Sequence, residues 1–153
     1  PLPGLISAKQ RASSNWMGIL HPTELWYPPS CDFSCMISPD NFEEFIIPEL
    51  EAEIEFLPHS IYHLDGPDAL RHLDRLLQIE KLEGIQWVYG AGQPSARHWG
   101  DVLKKIQAAG KRIMVYCEPE DLVPLCESLD PRGVHFRCIL DDKERGAKLL
   151  VLK

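Results

Sequence analysis

Four short apolar runs, Ser60–Leu64, Gly84–Val88, Arg112–Tyr116 and Gly133–Leu140, are each followed by a longer stretch of helical spacing. The units repeat at about 24 residues, a period that reads as strand–helix–strand and joins parallel strands through right-handed crossovers. The helical stretches are Pro67–Ile79, Ala96–Ala109, Pro119–Leu129 and Asp142–Leu150. Leu70, Leu73, Leu76 and Leu77 mark the buried stripe of the first, and Trp99, Val102, Leu103 and Ile106 that of the second. Gly110 is placed to stop a helix.

Such an alternation has two common outcomes, an open doubly wound sheet or a closed (β/α)8 barrel. No strand is followed by G-x-G-x-x-G: Gly90-Ala91-Gly92 continues as Gln93-Pro94-Ser95 and lacks the third glycine. That disfavours a dinucleotide fold. A full barrel takes ~250 residues, and this chain has 153. The expected fold is therefore α/β, of TIM-barrel type, as a C-terminal half-barrel or fragment. A sheet cut in half carries two unpaired edges and needs a partner, either a second copy or a complementary half.

Residues 1–30, with prolines at 1, 3, 22, 28 and 29, read as an irregular segment in which Trp16–Leu20 is the one short strand candidate. Residues 31–153 read as the βα-repeat domain. Cys31–Ile37 reads as its first strand, with Asp32 and Ser34 sharing a face. Ser38-Pro39 reads as the N-cap and first position of a helix to about Leu57, kinked or split by Pro48 near Ile47. The opening Pro1-Leu2-Pro3, without methionine, reads as a processed product or a fragment.

A net charge of −7 with dispersed acidic residues argues against nucleic acid or an anionic membrane as partner. No apolar run nears the ~20 residues that span a bilayer. Five cysteines form no small-protein disulfide framework, so the expected setting is cytoplasmic, with reduced thiols.

Side chains at strand ends are the natural site candidates, because such sheets hold ligands there. His63 and Asp65, two apart on one strand, share a face, and Asp65 either ligates or caps the helix entering at Pro67. Asp32, Gln86 and Glu118 are candidate catalytic groups, with Ser34, Trp87 and Tyr89 as ligand-orienting neighbours. Glu118 also suits a helix start, and Trp87 also suits the core. Cys138 ends a strand and is either a thiol ligand or a small buried hydrophobe. His72 and His98 read as solvent-facing, while His21 and Cys35 have no partner that spacing identifies.

The segments Ser38-Pro39-Asp40-Asn41-Phe42-Glu43-Glu44-Phe45-Ile46-Ile47-Pro48, Tyr62-His63-Leu64-Asp65-Gly66-Pro67, Ile85-Gln86-Trp87-Val88-Tyr89-Gly90 and Gly110-Lys111 together resemble the uroporphyrinogen decarboxylase superfamily. The resemblance covers roughly residues 31–153 and points to the methyltransferase-like branch related to methylcobamide:coenzyme M methyltransferases. It implies methyl transfer to a small acceptor, a corrinoid or corrinoid protein as donor, and zinc held by His63, Asp65 and Cys138. Asp65 stands where that branch carries cysteine, which makes a harder, less thiophilic site. The decarboxylase branch implies instead a metal-free lyase acting on a carboxylated substrate, and a lone half-barrel implies a non-catalytic subunit.

Overall fold

The computed structural model describes residues 13–138 and 140. Its centre is a five-stranded, all-parallel sheet in the order β3 (Trp26–Tyr27), β4 (His59–Asp65), β5 (Gly84–Val88), β6 (Arg112–Cys117), β7 (Val134–Cys138). Spatial order follows chain order without reversal. A doubly wound sheet reverses at a switch point, so this arrangement is an open, curled half-barrel and not a complete one.

Every connecting helix lies on the same side of the sheet. Strand residues Tyr62, Leu64, Ile85, Trp87, Ile113 and Val115 meet Leu50, Leu73, Leu76, Leu103, Ile106 and Leu125 there in one core. Trp87 is fully buried, its ring edge-on to Trp99 at 5.1 Å. Gly84 is required by this packing, since a Cβ there would stand 2.8 Å from the Arg112 carbonyl oxygen of β6.

The expected helices between strands are present in shortened form: α3 (Leu73–Leu77), α4 (Gly100–Ala108) and α5 (Leu122–Ser128). Each is entered through a 3₁₀ turn, at Pro67–His72, Ala96–Trp99 and Pro119–Asp121, as is common at helix starts. Gly66 makes the sharp exit from β4 with φ +82°, donating its N–H to Val88 O at 2.9 Å. Lys111 Nζ closes the α3–β5 loop by donating to the carbonyls of Ile79, Glu80 and Leu82 at 2.7, 3.2 and 2.6 Å.

Pro48 acts as expected but by a particular route. Its ring has no N–H to give and would clash with the carbonyl four residues back. The chain opens a π turn over Phe42–Ile46, between α1 (Pro39–Asn41) and α2 (Ile47–Phe56), and the Ile47 N–H reaches back to Phe42 O. Ser38 caps the start, its Oγ accepting from the Asn41 N–H at 3.2 Å.

Two sequence expectations are corrected. Cys31–Ile37 is no strand: Asp32–Met36 is a 3₁₀ helix, and the first sheet strand is the two-residue β3 that precedes Pro28-Pro29. Of Trp16–Leu20 only Leu20 is in a strand: Trp16–Ile19 are the tip of a hairpin made by β1 (Ser13–Ser14) and β2 (Leu20–His21). The helix expected over Asp142–Leu150 lies outside the described residues. No described helix is long and apolar enough to cross a membrane.

The hairpin covers the sheet face opposite the helices, the face that would line the interior of a complete barrel. Met17 at its tip is fully buried against Trp26 and Met114, with Ile19, Ile61 and Tyr116 around them. Arg137 fastens the tip, its Nη1 donating to Trp16 O at 3.0 Å and to the Tyr116 hydroxyl at 3.1 Å.

Candidate functional site

Strand pairing sets the residues of the covered face in rows. His63 lies beside Gln86, Gln86 beside Met114, and Met114 beside His135. His59 sits four residues earlier on the same face of β4, beside Trp26. The functional groups therefore gather at two levels, one near the strand ends and one at the strand starts.

Near the ends, His63 Nδ1 lies 2.6 Å from Gln86 Oε1. An amide oxygen only accepts, so Nδ1 carries the proton, and Nε2 presents its lone pair away from the pair. Gln86 is fully buried, and its Nε2 has no hydrogen-bond partner among the described residues. Trp16 stands edge-on over the His63 ring, centroids 4.8 Å apart.

The other expected site residues scatter. Asp65 is exposed at the end of β4. Cys138 is in β7, three strands away, roughly 14 Å at about 4.8 Å per strand step. A closed barrel brings such positions together across its interior, but an open sheet holds them apart. Cys138 instead neighbours Cys117, on the helix side of the sheet. Trp87 is enclosed on that side too and has no face toward Gln86's surroundings. Asp32 is exposed in the first turn of its 3₁₀ helix. Ser34 is buried, and its carbonyl accepts from His72 Nε2 at 2.9 Å.

Tyr89, Glu118 and the unforeseen Asp121 group at the ends of β5 and β6. Burial, then the charges of Glu118 and Asp121, push the Tyr89 phenol above its ordinary range. Asp121 is fully buried and satisfied. It accepts from Ser95 Oγ at 2.7 Å and from the Glu118 N–H at 2.9 Å, and Arg97 Nε stands 3.6 Å away. Exposed Glu118 is the N-cap of the 3₁₀ turn, the ordinary helix-start role.

His72 is corrected: it is buried, stacked on Phe42 at 4.1 Å, and its ionisation is shifted downward chiefly by burial. His98 is exposed as expected.

At the strand starts the chain brings together His21, Glu24 and His59, whose ligand atoms all lie within 4.8 Å of one another. It is the one three-donor group of this kind among the described residues. His59 Nε2 lies 2.8 Å from Glu24 Oε2, and His59 Nδ1 lies 3.0 Å from Glu83 Oε2. His21 Nε2 stands 3.9 Å from the same Glu24 oxygen, its ring stacked on His59 at 4.4 Å. The hydrogen bonds to Glu24 and Glu83 raise the His59 pKa above that of an ordinary histidine. Two carboxylates flank the one imidazole, and their charge is what a dication at this place would offset.

The cluster is a ligand-like arrangement that can coordinate a metal. Ligand atoms around tetrahedral zinc sit about 3.3 Å apart, given bonds of ~2.0–2.1 Å; Glu24 stands 3.9 and 2.8 Å from the two rings, and the whole set closes within 4.8 Å. Glu83 completes a carboxylate–histidine–metal line, holding the proton on His59 Nδ1 and freeing Nε2 for the ion. His21 fits less directly. Its Nδ1 accepts the Glu24 N–H at 2.9 Å, which leaves the neutral ring's proton on Nε2. Ligation through Nε2 requires that bond to break.

Sequence spacing did not join these three residues, because the hairpin that unites them is a tertiary feature: 35 residues separate Glu24 from His59. No family model, curated protein or solved structure matches the chain.

Proposed function

We propose that this half-barrel binds a divalent cation of zinc class through His21, Glu24 and His59, and that the ion fastens the N-terminal hairpin to the sheet. The convergence of two imidazoles and a carboxylate within 4.8 Å carries the reading. The His₂Glu set is a known zinc donor combination and leaves a fourth position open. The site stands at the strand starts, however, and barrel enzymes place their chemistry at the opposite ends. An ion here holds the fold of the N-terminal segment. Calorimetric titration with zinc should give one site per chain, lost in His59→Ala and kept in His63→Ala. Equal binding in both variants, or none in the unaltered protein, refutes the assignment.

A second reading is the methyl transfer implied by the resemblance to the uroporphyrinogen decarboxylase superfamily. Its support is His63, whose Nδ1–H is tied to Gln86 so that Nε2 can accept a proton or a metal. In this reading a corrinoid donates the methyl group, His63 assists a small acceptor, and Asp65, on the same face of β4, borders the acceptor. The hairpin must lift for either to enter, since Trp16 covers His63. A second copy or a complementary half-barrel would then pair with the open edge of the sheet. Loss of methylcobalamin absorbance in the presence of a small thiol tests this, with His63→Ala as control. Absence of turnover at any protein concentration removes it.

A further inference from the structure

Cys117 and Cys138 stand directly opposite each other at the ends of β6 and β7. Both belong to the helix-side core, Cys117 buried and Cys138 packed against it. The two thiols interact, and the nearness of Cys138 adds to the upward shift that burial gives the Cys117 thiol. Neighbouring strands lie ~4.8 Å apart, inside the ~4.4–6.8 Å range of Cα separations that a disulfide spans. Residues paired in register on one face therefore meet the Cα separation that the bond requires.

We propose that Cys117 and Cys138 form a reversible intramolecular disulfide under peroxide-class oxidants, locking β7 to β6. The site is independent of the metal reading, because it lies across the sheet from His21, Glu24 and His59 and involves none of them. Cys138 is the attacking residue. It is partly exposed, whereas burial pushes the Cys117 thiol up to about 12 and leaves scarcely any thiolate.

The Cys138 thiolate attacks one oxygen of hydrogen peroxide and breaks the O–O bond. Sulfenic acid forms at Cys138, and hydroxide leaves to take up the thiol's proton as water. Cys117 sulfur then attacks the sulfenic sulfur, expelling a second hydroxide that leaves as water with the Cys117 proton. Each sulfur gives up one electron overall, and the peroxide is reduced to two waters. The strand register places the second nucleophile beside the first before the first step begins. That proximity favours cross-linking over further oxidation of Cys138.

Peptide mapping of the full chain after brief peroxide treatment tests the proposal. Trypsin releases Cys138 in the peptide 138–143, and Cys117 in the peptide 113–132 together with Cys126. The expected product is these two peptides joined, lighter by two hydrogens, with fragmentation placing the bond on Cys117 and reversal by a thiol reductant. The titratable thiols should fall from five to three, while Cys138→Ser should keep all four of its own. A link through exposed Cys126, a dimer, a sulfonic acid at Cys138 without a cross-link, or an unchanged thiol count would each overturn the assignment. The mapping uses the unaltered protein, so its outcome does not depend on how the variant folds.

Discussion

His59 and His63 occupy the same face of the same strand, about 13 Å apart at ~3.3 Å per residue, yet their surroundings are opposite. His59 lies between two carboxylates, and its pKa is raised. His63 gives one proton to a buried amide and keeps its other nitrogen open under Trp16. One hairpin contributes to both environments, with His21 and the following Glu24 at one level and Trp16 at the other. The same strand thus carries a carboxylate-flanked imidazole at one end and an amide-tethered imidazole at the other. The apolar layer of Met17, Trp26 and Met114 between them keeps the hairpin seated.

The largest effect should come from that layer. Trp26→Ala removes a buried indole and should cost ~3–5 kcal/mol of stability, measured as a drop in denaturant midpoint. If the layer joins the two ends, hydrogen exchange should quicken at Trp16 and at His21 together. Quickening at one end only would show two separately anchored segments and break the comparison.

Metal addition should separate the ends. A ligand at one hundred times its dissociation constant stabilises the folded state by about 2.7 kcal/mol. Zinc should therefore raise the melting temperature of the unaltered protein and of His63→Ala, but not of His59→Ala. Glu83→Gln should weaken zinc ~10–100-fold while leaving a detectable site, the usual cost of losing a histidine's carboxylate partner. A full effect in Glu83→Gln would mean that the carboxylate does not orient the ring.

The same contrast explains what could be read from the residues alone. Strands β4 to β6 and the crossovers between them follow from apolar runs spaced by helical stretches, a local signal in each case. The split at Pro48 was legible for the same reason, since the missing N–H is a property of one residue. β3 escaped because two residues before a Pro-Pro pair carry no periodicity. Asp32 and Ser34 suggested alternation, although the segment turns as a 3₁₀ helix. His63 and Gln86 could be singled out as strand-end polar residues on one face. His21, Glu24 and His59 could not, because their meeting depends on a hairpin folding back over a sheet. His72 read as surface because its burial comes from the Ser34 carbonyl and the Phe42 ring, both remote in sequence.

His72 gives a smaller effect, and a control away from both ends. Its pKa is lowered in the folded state, chiefly by burial, so the unfolded chain binds the proton more readily. Stability from this group is complete above the unfolded value of ~6.5 and is lost as pH falls from there toward the folded value. Urea midpoints of metal-free protein between pH 7.5 and about 5 should fall on the acid side, and this part of the fall should vanish in His72→Gln. A slope unchanged by the substitution would assign the acid loss elsewhere.

The smallest change in stability, and the sharpest test of the second end, is Gln86→Leu. The substitution removes the acceptor of the His63 Nδ1–H, a net loss of about 1 kcal/mol, and also removes a buried donor that has no partner among the described residues, a gain of similar size. Stability should move by less than ~1 kcal/mol, so melting curves will not register the change. The histidine itself should. With Gln86 present the ring is held with its proton on Nδ1. Without it nothing fixes the tautomer, and the Nε2–H form that prevails in free imidazole side chains should become populated. Nitrogen-15 spectra of the labelled ring distinguish the two forms directly. An unchanged spectrum in Gln86→Leu would mean that Trp16, not the amide, orients His63. The open Nε2 would then be a by-product of the hairpin and not a feature built into the sheet.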